Sequence, residues 1–135
     1  MKMNAYLMFD GRCEAAFRFY AQVFGGKLEL LTYGRSPMAE RTPPEQRDKV
    51  MHVSLNMGEG VLMGSDAPPQ FYQPMQGFHV TLVLADPAEA ERIFDALSDG
   101  GEVRMALQET FWAAKFGMVV DRFGTPWMVS CERAT

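Results

Sequence analysis

Apolar positions along this chain switch between two periods, and the switches come in the same order twice. Residues 3–9 form an apolar run of strand length. Ala16, Phe17, Tyr20 and Phe24 then recur at helical spacing, which predicts one amphipathic face. Gly25-Gly26 stops that helix, since glycine takes the left-handed C-terminal conformation without a Cβ clash. A strand over 27–33 follows, then an irregular segment, then a hairpin of 50–56 and 61–65 around Gly58-Glu59-Gly60.

The second half repeats the order. A strand over 78–85 leads to Asp86-Pro87, an N-cap followed by proline at the first helical position. Ala90, Ile93, Phe94 and Leu97 keep helical spacing, and Gly100-Gly101 is the stop. A strand over 102–107 precedes a hairpin of 114–120 and 127–131 around Arg122-Phe123-Gly124. Laid at a constant offset, the two helical segments match at Glu14/Glu89, Ala15/Ala90, Phe19/Phe94, Ala21/Ala96 and both Gly-Gly pairs. The pattern therefore predicts an α+β fold of two tandem βαβββ modules, one at about 1–66 and one at about 77–135. The proline-bearing segment 67–76 is the linker. Neither half holds enough core alone, so a single domain is expected over 1–135.

Composition narrows the function classes. A net charge of −4 argues against a nucleic-acid partner, which selects a basic face. No apolar run reaches membrane-span length, and residues 1–12 lack the pattern of a signal peptide, so a cytoplasmic protein with no membrane partner is expected. Cys13 and Cys131 sit in no metal or redox spacing and read as buried free thiols. The polar segment 34–49 has no apolar period and reads as a disordered surface loop. The alternative is a lid that sets Arg35 or Arg41 against an anionic ligand.

The stretches NAYLMFDG (4–11), AFRFYA (16–21), VLMGSD (61–66), QETFW (108–112) and DRFGTPW (121–127) lie on this double βαβββ frame. Together they resemble the PhnB-like branch of the vicinal oxygen chelate superfamily, the group of glyoxalase I, fosfomycin and bleomycin resistance proteins and extradiol dioxygenases. The resemblance covers essentially the whole chain. It implies curved mixed sheets around a cup, helices on the outer face, and a homodimer. Members of this branch carry methyltransferase and DNA-binding labels, and neither is supported here. There is no glycine-rich strand-to-helix loop for a methyl donor, and the acidic balance opposes DNA.

Resemblance also implies where a metal would sit in the cup: on the first and last strand of each module. Those positions carry Asn4 or Ala5, Met63, His79 and Met128. Only His79 is a usual ligand, because divalent ions of these enzymes take imidazole and carboxylate whereas methionine is soft and neutral. The expectation is a small apolar or mixed ligand bound in the cup without the usual metal. His79 and Tyr6 would give it polar contacts, and Met63, Trp112, Trp127 and Met128 would line the walls. Two rivals compete with this reading. One is a metal-dependent lyase, isomerase or dioxygenase holding Zn, Ni, Mn or Fe at a relocated site of His79, His52 and Glu109. The other is a resistance protein that sequesters a drug.

Overall fold

The computed structural model describes residues 1–133. It divides into two compact units, Met1–Pro74 and Met75–Thr135, each with one helix and one mixed four-stranded sheet. In the first unit β1 (Ala5–Phe9), α1 (Cys13–Phe24), β2 (Lys27–Thr32), β3 (Val50–Asn56) and β4 (Val61–Asp66) form a sheet of order β1-β4-β3-β2. In the second, β5 (Val80–Leu84), α2 (Pro87–Ser98), β6 (Glu102–Gln108), β7 (Lys115–Val120) and β8 (Pro126–Cys131) give β5-β8-β7-β6. The first and last strands of each module pair in parallel, and the other neighbours are antiparallel. Both modules are thus βαβββ, with strand ends within two residues of those the pattern predicts. Among the described residues no helix is long and apolar enough to cross a membrane.

Each helix covers one sheet face. Cys13, Ala16, Phe17, Tyr20 and Val23 of α1 are buried against Leu7, Phe9, Val53, Leu55 and Leu62. Phe17 meets Phe9 and Tyr20 edge-on, with centroids 6.1 and 5.4 Å apart, a preferred aromatic geometry. In the second unit Ala90, Ile93, Phe94 and Leu97 of α2 are buried, as are Val119, Trp127, Val129 and Cys131 of the strands. Cys13 and Cys131 are free and buried. Burial first, and the charge of Asp66 second, push the Cys13 thiol up, so it stays protonated at neutral pH and is no nucleophile.

The repeated Gly-Gly pairs have a common cause. Gly25 and Gly100 both take φ of 76°, a positive value that glycine reaches without a Cβ clash. A Cβ on Gly26 would stand 2.6 Å from the Asn56 carbonyl oxygen, and one on Gly101 would stand 2.3 Å from that of Val120. The first glycine turns the chain and the second lets it pass against the backbone of the facing strand.

Helix starts differ between the modules. Asp86 caps α2 locally, its side chain accepting from the Ala88 N–H at 3.0 Å. Arg12 offers α1 no side-chain cap, and Asp66 at the end of β4 supplies it instead. Its Oδ1 accepts from the Gly11 and Cys13 N–H groups at 2.8 and 3.0 Å, and its Oδ2 from Val50 N–H at 2.9 Å.

Segment 34–49 corrects the expectation of a disordered loop. It folds through short 3-10 turns at Tyr33–Arg35, Ala39–Arg41 and Pro44–Gln46. The buried Ser36 hydroxyl donates to the Tyr33 carbonyl at 2.7 Å, and Gly34 N–H donates to the Arg47 carbonyl at 2.8 Å. Internal hydrogen bonds take the place of an apolar period. The linker 67–76 is likewise ordered in part, with a 3-10 turn at Pro69–Phe71.

Candidate functional site

Each sheet has a second face, turned away from its helix. In the first unit the pairing Tyr6↔Met63 and Met63↔Ser54 sets these residues in one row, while Leu7, Val53, Leu55 and Leu62 alternate onto the face under α1. Tyr6 of this row and Met8 of the next, both on the edge strand β1, remain 44% and 38% exposed. His52 joins them from β3. Its Nδ1 lies 3.0 Å from the Tyr6 hydroxyl, and the two rings stack with centroids 5.6 Å apart. β4 runs between their strands, so this contact spans Met63's strand. The Ser65 hydroxyl donates to the Met8 sulfur at 3.4 Å. The result is a polar pair set beside two thioethers.

The corresponding face of the second unit is built from the row Thr81↔Met128↔Met118. Phe116 alternates onto the same side as Met118, and Trp112 packs edge-on against it at 5.4 Å. Trp112 is half exposed, and its neighbour Phe111, 4.7 Å away, is almost fully so.

The structure sorts the candidate residues. Tyr6 and Met63 share the open face of the first sheet, and Met128 and Trp112 belong to that of the second. His79 lies just before β5 and is half-buried. Trp127 is a correction. It is 1% exposed, on the face under α2, with its Nε1–H donated to Asp121 Oδ2 at 2.8 Å. Adjacent strand residues point to opposite faces, so Trp127 and Met128 cannot line the same wall.

Of the relocated metal set, His52 belongs to the first unit and His79 and Glu109 to the second. His52 is engaged by Tyr6, and Glu109 lies on the surface with Arg133 at 3.7 Å. Among the described residues no three His, Cys, Asp or Glu side chains gather as a metal-ligand group. The donor chemistry of Asn4, Met63, His79 and Met128 does not suit a divalent ion either. What pattern reading missed was the partnership of His52 with Tyr6. Its only trace in the sequence is that both fall on the polar parity of their strands.

Comparison with known proteins agrees with this architecture. The family model described as 3-demethylubiquinone-9 3-methyltransferase matches residues 1–130. The protein YjdN of Escherichia coli K12 is 34% identical over 96% of this chain and 95% of its own. The crystal structure of protein PA1353 from Pseudomonas aeruginosa is 46% identical, with a TM-score of 0.91 over 99% of both chains. A PhnB protein from Bacillus cereus shares the fold, at 22% identity and a TM-score of 0.78 over 97% of this chain and 99% of that one. These matches place the chain in the family that this model describes, and its double βαβββ frame is the fold of the PhnB-like branch of the vicinal oxygen chelate superfamily.

Proposed function

We propose that the protein binds a small apolar or mixed ligand on the sheet face opposite α1, without the metal used by much of its superfamily. The observation that carries this reading is the Tyr6–His52 hydrogen bond of 3.0 Å on a face that also presents Met8 and Met63. With the imidazole proton on Nε2, the phenol O–H donates to Nδ1. That leaves Nε2–H as a donor and the phenol oxygen as an acceptor for one polar end of a ligand. Thioethers adapt to the apolar remainder.

Methionine-methyl NMR tests the reading with 4-hydroxybenzaldehyde, 2-methyl-1,4-naphthoquinone and phenylphosphonate as probes. At least one should shift the Met8 and Met63 methyl signals saturably. Tyr6→Phe and His52→Ala should then each weaken its binding by roughly 5- to 30-fold, the worth of one hydrogen bond. Unmoved methyl signals with all three probes would remove the proposal. Elemental analysis addresses the metal separately. Stoichiometric metal that is lost on His79→Ala would favour the metal-dependent rival.

The same reading includes a homodimer. Val83, Phe111 and Trp112 are 60%, 89% and 51% exposed, apolar surface that a single chain leaves in water. A second copy would cover it. Sedimentation equilibrium should return twice the 15.2 kDa of one chain, falling toward the single mass in Val83→Arg. A wild-type chain that sediments singly at micromolar concentration would refute the dimer.

A further inference from the structure

Segment 34–49 and the chain after β4 line a half-open cavity of about 420 Å³ in the first unit, and neither Tyr6 nor His52 is among its wall residues. That volume lies in the range of small-molecule sites, which run from about 300 to 1,000 Å³. Tyr33, Pro43, Pro68 and Pro69 give it flat, stiff apolar walls. Arg41 and Gln46 add donors, and the acids of the lining are Glu45 and Asp66, the latter with its carboxylate already accepting from three backbone N–H groups.

The walls are held from behind. The Tyr33 hydroxyl donates to the Asp66 carbonyl at 3.0 Å, tying the segment to β4. The Ser36 hydroxyl accepts from Met38 N–H at 3.0 Å and donates to the Tyr33 carbonyl at 2.7 Å. A Cβ on Gly34 would meet the Arg47 carbonyl oxygen at 3.0 Å, so the two arms of the segment are in close contact. A site shaped before its ligand arrives spends little of the binding free energy on ordering loops.

Arg41 is exposed at the rim, and among the described residues no carboxylate pairs with it. Its fork is free to take a carboxylate through two parallel hydrogen bonds. We infer that this cavity is a second ligand site, specific for a small monocarboxylate with a flat ring. The ring packs between Tyr33 and the prolines, and the carboxylate meets Arg41. Glu45 limits the ligand to a single negative charge.

Titration of ¹⁵N-labelled full-length protein with 3-phenylpropanoate tests this site. Amide signals of Tyr33, Thr42 and Gln46 should shift saturably, while those of β1 and of β3 from His52 on stay in place. Arg41→Ala should weaken binding about tenfold or more, with Arg41→Lys between, because lysine keeps the charge and loses the fork. The uncharged 3-phenylpropan-1-ol should bind about tenfold more weakly than the acid, and phenylsuccinate no more tightly. Arg41 is exposed, so its replacement leaves the fold intact. The inference is overturned if these amides show no saturable shift into the millimolar range. It is equally overturned if Arg41→Ala or the alcohol binds as well as wild type binds the acid, or if phenylsuccinate binds more tightly.

Discussion

Replacing Asp66 by alanine should destabilise the protein by about 3–5 kcal/mol, more than any change at the proposed ligand face. The carboxylate is 3% exposed and accepts three backbone N–H groups, from Gly11, Cys13 and Val50. These donors belong to the β1–α1 turn, the first turn of α1 and the start of β3. One side chain at the end of β4 therefore ties down both the β1–α1 connection and the start of β3. Its loss takes an ionised acceptor from all three, and hydrogen bonds to charged groups contribute about 1.5–3 kcal/mol each. Asp66→Asn separates shape from charge. The amide oxygen keeps two donors, but its nitrogen must then face the Val50 N–H, donor against donor. A loss of about 2 kcal/mol is expected, between wild type and alanine. Urea unfolding followed by circular dichroism reads both values. An Asp66→Ala unfolding free energy within about 1 kcal/mol of wild type would show that water replaces the carboxylate without loss.

Asp66 also marks the boundary of what pattern reading reaches. The modules were legible because their signals are local. Apolar period, the Asp86-Pro87 start and the paired glycines each act within a few residues, and each lies where the structure needs it. The cap on α1 was not legible, because its donors are 53 and 55 residues from their acceptor. Nor was the Tyr6–His52 pair, which depends on the register of β4 between two other strands. Segment 34–49 failed for a different reason. Its order rests on hydroxyl and backbone hydrogen bonds, for example from Ser36, and these leave no hydrophobic trace. Chemistry alone, an aromatic near a closing strand, points Trp127 to a ligand wall, whereas strand parity already sets it opposite Met128.

That misplacement carries the second large expectation. Trp127 is buried, as are Asp121 and Thr125 that flank the hairpin turn before it, and Asp121 organises both the turn and the indole. Asp121 Oδ1 accepts from Phe123 and Thr125 N–H at 2.8 and 3.1 Å, while Oδ2 accepts the indole N–H at 2.8 Å. Trp127→Phe should cost about 2–4 kcal/mol, from a lost hydrogen bond to a buried carboxylate plus the space vacated by the larger ring. Trp127→Ala should cost about 4 kcal/mol or more. If the two side chains act through one another, the cycle of Trp127→Phe, Asp121→Ala and the double variant should show a coupling of about 1–2 kcal/mol. Fluorescence gives an independent readout, since the chain has two tryptophans and Trp112 is half exposed. Iodide should quench Trp112 and spare Trp127, so Trp127→Phe should leave emission that is wholly quenchable. A ligand-wall residue would behave otherwise: its loss would weaken probe binding and leave the unfolding midpoint nearly unchanged. Trp127→Phe that lowers affinity for the probes while costing under about 1 kcal/mol would return Trp127 to the site. The burial and the indole–carboxylate bond instead make it the part of β8 that holds Met128 outward.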